Sequence, residues 1–190
     1  LPAYSEDGST AYTYTVDEEP VEGYITAVSG TNLINTITGT TSVSGTKTWR
    51  APDGTELPES ITVILNRNDE PVARKKVTAA DDWSYEFTEL PAYSEDGLTA
   101  YTYTVDEEPV EGYITTVSGT NLINTITSVK ISKVDIDDGE ELEGATIQLI
   151  DKETGEVVEE WTSTNEAHEV TGLTTGKTYI LRETVAPEGY

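Results

Sequence analysis

The chain has 190 residues, enough for one large or two small domains, and no apolar run in it approaches the ~18 residues that cross a bilayer, which excludes membrane insertion by helices. A formal net charge of −25, from 36 acidic against 11 basic residues with no basic stripe, excludes nucleic acid and anionic membranes as partners. Zero cysteines exclude disulfides and thiolate metal ligands, so any covalent staple must be made another way; no metal or cofactor is expected.

In chain order, the first element is half of a repeat. Residues 1–38 match residues 90–127 at 36 of 38 positions, differing at Ser9/Leu98 and Ala27/Thr116. The chain is therefore expected to open in the C-terminal half of one copy (residues 1–38), to contain one complete unit (39–127), and to begin a different unit at Ser128 (128–190) that lacks its last strand. With neither signal peptide nor methionine, it is expected to be an excised piece of a longer protein.

Helical spacing is nearly absent, and Thr, Val, Ile and Tyr dominate the periodic segments. Strands are predicted in the complete unit over residues 42–49, 60–66, 70–78, 83–88, 99–106, 113–118 and 120–127, separated by the turn signals APDG, NRNDEP, AADD, YSEDG and SGTN. Seven short strands at near-regular spacing predict an all-β, antiparallel, immunoglobulin-like sandwich. The last unit repeats the logic at 129–134, 146–151, 156–162 and 178–183. Its DIDDG, residues 135–139, is one residue short of a calcium loop and reads as a hairpin turn. The single histidine, His168, has no ligand-like partners and is assigned to a surface loop.

Strand phase singles out three polar residues. Lys47 lies in register with Val43, Gly45 and Trp49; Glu107 with Tyr101, Tyr103 and Val105; Asn124 with Leu122 and Ile126. Burying any one of them alone is costly. Burying them together is different: a Greek-key sandwich lets its first and last strands lie side by side, which would set Lys47 against Asn124 with Glu107 over the pair. A desolvated lysine loses its proton more easily and becomes a nucleophile, and a protonated Glu107 would polarise the Asn124 carbonyl and shuttle protons to departing ammonia. The bland alternative is an unreacted, partly exposed ion pair at the rim, with Asn124 an ordinary turn-proximal residue. Asn121 is the competing acceptor, but it is in phase with Ile123, on the opposite face.

The motifs VSGTKTW, WSYEFTELPAYSEDG, YTYTVDEEPVEGY and NLINT resemble the collagen-adhesin B-type (Cna B) domains of Gram-positive surface adhesins and pilins. The resemblance implies a prealbumin-like sandwich and a spontaneous isopeptide bond, with the lysine at Lys47, the acceptor at Asn124 and the assisting acid at Glu107. The first copy carries Glu18 and Asn35 but no lysine. The unit from Ser128 resembles a second branch of the family through VKISKVDIDDGEELEGATIQLID and YILRETVAPEGY, which implies Lys133 and Glu183 in the same roles and an acceptor beyond Tyr190. The function this implies is that of a non-enzymatic stalk or spacer, extracellular and wall-anchored, whose parent contacts host matrix proteins or glycans through other parts. The rival expectation is a module that itself binds such a ligand. A further expectation is strand complementation at the truncated ends. No pair of carboxylates is fixed across a cleft as hydrolysis of glycosides would need.

Overall fold

The computed structural model describes all 190 residues, and the only helical element is a single 3-10 turn, Ala79–Asp81. In the repeated half-copy β1 (Tyr24–Ser29) and β2 (Asn32–Ile37) form a hairpin. The next strands are β3 (Thr40–Arg50), β4 (Ser60–Arg67), β5 (Glu70–Thr78), β6 (Ser84–Pro91), β7 (Tyr103–Glu107), β8 (Tyr113–Ser118) and β9 (Asn121–Ile126). They make two sheets, in the orders β6-β3-β9-β8 and β5-β4-β7. The last segment supplies β10 (Ser128–Ile131), β11 (Thr146–Asp151), β12 (Val157–Thr162), β13 (His168–Thr171) and β14 (Tyr179–Val185), arranged as the pair β10-β13 and the sheet β12-β11-β14. The predicted all-β sandwich architecture is the observed one.

Contacts group the chain into two compact units. One comprises Leu1–Ser44, Leu65–Val72 and Glu86–Thr104; the other comprises Gly45–Ile64, Ala73–Tyr85 and Val105–Tyr190. In the second, Ile61, Val63, Val77, Tyr85, Val105 and Leu122 are buried, as alternation along β4, β7 and β9 demands. A separate cluster of Ala145, Ile147, Leu149, Trp161 and Val170 fills the last segment, with Ile131, Leu173 and Tyr179 packed on it.

Three expectations need correction. The sandwich is not wholly antiparallel: β3 and β9 pair in parallel, Lys47 opposite Leu122 and Trp49 opposite Asn124. An even number of chain reversals between two strands returns the backbone to its starting direction, so a first and a last strand that meet in one sheet can point the same way. His168 does not lie in a loop. It opens β13, stacks on Trp161 at 4.4 Å between ring centroids and 12° between planes, and has its Nε2 2.7 Å from Glu159 Oε1, so an aromatic shelf and a carboxylate hold it. The strand predicted at 129–134 stops at Ile131, and residues 135–139 turn the chain between the isolated bridge partners Val134 and Glu141, with Asp135 Oδ1 accepting the Asp137 N–H.

Two glycines are fixed by space. A Cβ on Gly45 would stand 1.9 Å from the Thr120 carbonyl oxygen and 2.7 Å from the Tyr85 hydroxyl, so β3 approaches the entry to β9 only because position 45 has no side chain. Gly112 has φ +76, and a Cβ there would stand 2.7 Å from the Gly172 carbonyl. Around that second contact Thr127 Oγ1 donates to the Leu173 carbonyl at 2.6 Å and the Gly172 N–H donates to the Thr127 carbonyl at 2.9 Å, tying the chain just before β8 and just after β9 to the turn that follows β13.

Gly45→Ala should cost at least the ~1–3 kcal/mol typical of overpacking, because the clash is with backbone rather than with a mobile side chain. A urea unfolding midpoint equal to that of the unsubstituted chain would show that β3 does not need this close approach.

Candidate cross-linking site

Each functional side chain is delivered by alternation on a strand and by pairing between strands. On β3, Val43 and Lys47 are buried and Thr46 and Thr48 are exposed, so Lys47 is carried inward by period two. Parallel pairing places Trp49 opposite Asn124 and Lys47 two pairs earlier, opposite Leu122, which puts the lysine and the asparagine on the same face of adjacent strands. On β8, Thr115 stands directly opposite Asn124. Glu107 ends β7 in the other sheet and enters the interlayer space from the opposite side.

The resulting geometry is tight. Lys47 Nζ donates to Glu107 Oε1 at 2.6 Å and to Oε2 at 2.8 Å, and both side chains are fully buried. Thr115 Oγ1 donates to Glu107 Oε2 at 2.7 Å. Asn124 is 0% exposed, and neither its Oδ1 nor its Nδ2 has a hydrogen-bond partner. A primary amide with both ends unpaired in a dry interior is costly, on the order of 1–3 kcal/mol per group.

An aromatic wall keeps the site dry. Lys47 Nζ sits 4.6 Å from the centre of the Trp49 ring, which packs edge-on against Trp83 at 5.2 Å and Tyr113 at 4.9 Å. Trp83 is placed by its backbone. The 3-10 turn is capped by Thr78 and Asp81, after which Asp82 and Trp83 both adopt left-handed conformations, φ 51 and 53. The same bend lets the Trp83 carbonyl accept the Lys47 N–H at 2.7 Å. For two non-glycine residues this is an uncommon backbone, and at a site of this kind it is retained because the surrounding contacts over-determine it.

Electrostatics follow from burial. Desolvation pulls the Lys47 ammonium below the ordinary lysine value, and the hydrogen bonds and charge of Glu107 pull it back up. Burial, and next the negative charge of Glu107, hold the Tyr85 phenol up at about 12. Tyr85 is buried, with its hydroxyl donating to the Thr120 carbonyl. The arrangement brings together a nucleophile with a weakened hold on its proton, a carboxyl group touching it, and an unpaired amide on the neighbouring strand. These are the parts an aminolysis needs.

The other residues singled out in the sequence fall into different settings. In the first copy Glu18 and Asn35 meet directly, Asn35 Nδ2 donating to Glu18 Oε1 at 3.2 Å. Lys133 Nζ lies 3.1 Å from Glu183 Oε2, both partly exposed. Val129 and Leu181, in phase with them, remain 42% and 51% exposed; β10 pairs with β13 alone and β14 is an edge strand beside β11, whereas β3 is flanked on both sides. Asn121 is exposed, and its Oδ1 accepts from the Thr46 N–H and hydroxyl at 3.0 and 3.1 Å, so it fastens β9 to β3 from outside. Thr115 is not marked out by the sequence. Its only signal is a polar residue in phase with Tyr113, and threonine is too common in these strands to stand out.

Because the folded-state value of Tyr85 is raised above the ordinary 10.0, its contribution to stability is fully present below pH 10 and is lost as pH rises through about 12. Thermal unfolding between those values should show a decline of about 2–3 kcal/mol that Tyr85→Phe removes. An unchanged decline in that variant would assign the loss to other groups.

Known proteins share this fold. The sequence model of the Cna protein B-type domain matches residues 1–36 and 43–125, more than half of the chain, and a prealbumin-like fold domain matches residues 127–190. The chain is 38% identical over 123 residues to a collagen adhesin of Staphylococcus aureus, covering 60% of this chain and spanning about a tenth, 10%, of that relative's length. All of it aligns with 56% of the crystal structure of two B repeat units of the collagen binding protein of the same organism, at 29% identity and a TM-score of 0.51. It shares its fold with the pilus adhesin SpaC from Lactobacillus rhamnosus GG in its open conformation, at 20% identity and a TM-score of 0.50 over 86% of this chain and 23% of that one. The chain belongs to the family of Cna protein B-type domains, structural modules of adhesins rather than enzymes.

Proposed function

We propose that this chain is a tension-resisting spacer from a cell-surface adhesin or pilin-like protein of Gram-positive bacteria, in which residues 39–127 close themselves covalently by an amide bond between Lys47 Nζ and Asn124 Cγ. The reading starts from membership in a family of adhesin modules. One observation carries it: the Asn124 amide is fully buried and unpartnered on the strand beside a buried Lys47–Glu107 pair. A fold that only needed a filler at position 124 would not strand two polar atoms there.

The chemistry is one aminolysis with all atoms accounted for. Proton transfer within the pair converts ammonium and carboxylate to amine and carboxylic acid, a step that desolvation of the Lys47 ammonium eases. The Lys47 nitrogen adds to Asn124 Cγ while Glu107 hydrogen-bonds the carbonyl oxygen. The carboxyl group then carries a proton from the lysine nitrogen to the amide nitrogen, the old C–N bond breaks, and ammonia leaves. No oxidant or cofactor enters; Glu107 is left as the carboxylic acid and returns to the carboxylate when it gives that proton to the departing ammonia, which goes into solvent as ammonium. Adjacent strands hold the reactants together, an effect worth up to ~7–11 kcal/mol in well-oriented systems.

Mechanically, the bond would join the first and last strands of the domain across a loop of about 77 residues. By the chain-entropy relation for disulfides that is about 4–5 kcal/mol. Force entering along β3 and leaving along β9 would pass through the amide, sparing the strands between. The joint at Gly112, Thr127 and Gly172 suits the same task, since a spacer transmits length only if its joints do not fold back. Near-identical tandem copies also fit a role in which length matters. Contact with host matrix proteins or glycans is assigned to other parts of the parent, in keeping with a relative that is a collagen adhesin, and wall anchoring is likewise a property of the whole protein.

Intact mass tests the reading. The purified chain should weigh ~17 Da less than its sequence, one ammonia per bond formed. Lys47→Ala, Glu107→Ala and Asn124→Ala should each restore the full mass, and a wild-type mass equal to the sequence mass would end the proposal. Asn124→Ala, which keeps the Lys47–Glu107 pair, should also lower the unfolding free energy by about 4–5 kcal/mol.

A further inference from the structure

One stretch of sequence occurs twice in this chain in two different situations, and the difference between them isolates a residue. In the first copy, where residues 1–38 contain no lysine, the acid and the amide engage each other. Asn35 Nδ2 donates to Glu18 Oε1 at 3.2 Å, and the Thr26 hydroxyl shares its proton between Glu18 Oε2 at 3.0 Å and Asn35 Oδ1 at 2.7 Å. In the complete unit Lys47 Nζ takes both carboxylate oxygens and the Asn124 amide is left without a partner. The threonine bond survives the exchange: Thr115 Oγ1 still donates to Glu107 Oε2, at 2.7 Å. Register explains its persistence, since Thr26 stands opposite Asn35 and Thr115 opposite Asn124 in identically paired hairpins.

We propose that Thr115 is a positioning residue for the Lys47–Asn124 cross-link, holding the Glu107 carboxyl group beside the acceptor amide while the lysine leaves it. The inference rests on the cross-linking reading above. Before reaction the carboxylate of Glu107 is held by Lys47 Nζ and by Thr115 Oγ1. The first of these anchors is the nucleophile, and it must give up its bonds to Glu107 as it moves onto Asn124 Cγ. Only the hydroxyl then keeps the acid aimed at the strand that carries the amide, because Glu107 itself enters from the other sheet. A carboxyl group free to rotate would deliver and collect protons out of line, and sub-ångström placement is what intramolecular rate advantages depend on. Thr115 neither gives nor takes a proton in the balance of the reaction; it acts through Glu107.

The full 190-residue chain, made by cell-free synthesis, quenched in denaturant at intervals and weighed intact, gives the rate of ammonia loss directly. Thr115→Val keeps the shape and removes the hydroxyl, and should slow the loss about tenfold, the value of one buried hydrogen bond. Thr115→Ser, which restores the donor without the methyl group, should return the rate to within about threefold of wild type, a rescue that a packing role would not give. In an Asn124→Ala background, which has no acceptor, Thr115→Val should lower the urea midpoint only modestly, by the loss of one hydrogen bond to the Lys47–Glu107 pair. A valine variant that reacts as fast as wild type, a serine variant as slow as valine, or a midpoint that collapses in the acceptor-less background would each overturn the positioning role while leaving the cross-link standing. A wild-type chain that loses no mass would remove the cross-link, and the positioning role with it.

Discussion

A lysine and a glutamate, fully buried between two sheets with 2.6 and 2.8 Å between nitrogen and oxygens, are the constraint around which the complete unit is organised. Taking both charges out of water costs several kcal/mol per ion, and their mutual attraction offsets this only with near-ideal geometry and further hydrogen bonds. The surroundings supply those terms. Thr115 donates to the carboxylate, the Trp49 ring lies over the ammonium, and Trp49, Trp83 and Tyr113 exclude solvent. A pair kept for stability alone would gain little over apolar residues of the same volume. In the proposed cross-linking the proton of the pair must move, which gives it a reason to stay polar and dry.

The devices that serve this pair are distributed over the fold. Gly45 lets β3 close on the Thr120 carbonyl, the left-handed backbone at Asp82 and Trp83 turns an indole toward Trp49, and Asn121 fastens the outer faces of β3 and β9. These features look unrelated along the chain, yet each packs or pairs β3, the strand that carries Lys47. The Lys133–Glu183 pair of the last segment shows how the same residue types behave without them: at 3.1 Å and partly exposed, it is an ordinary solvated ion pair.

Charge has a separate part. With 36 acidic residues against 11 basic ones, the surface repels other copies and anionic surfaces.

The duplicated half-copy divides local causes from distant ones. Local strand preference and turn chemistry set the hairpin: β1 with β2 and β8 with β9 have the same register, Tyr24 opposite Ile37 and Tyr113 opposite Ile126, because the same residues flank the same glycine turn. Alternation likewise put Lys47, Glu107 and Asn124 on inward faces, so the members of the site were legible before any coordinates. The parallel pairing of β3 with β9 was not, since alternation gives the same inward face for either strand direction. Nor was burial. Leu33 is 43% exposed while its twin Leu122 is 0% exposed, and Asn35 finds a carboxylate while Asn124 is stranded. Identical residues differ here because burial and loneliness are properties of what packs against a strand, which comes from chain segments dozens of residues away and is not written in the strand itself.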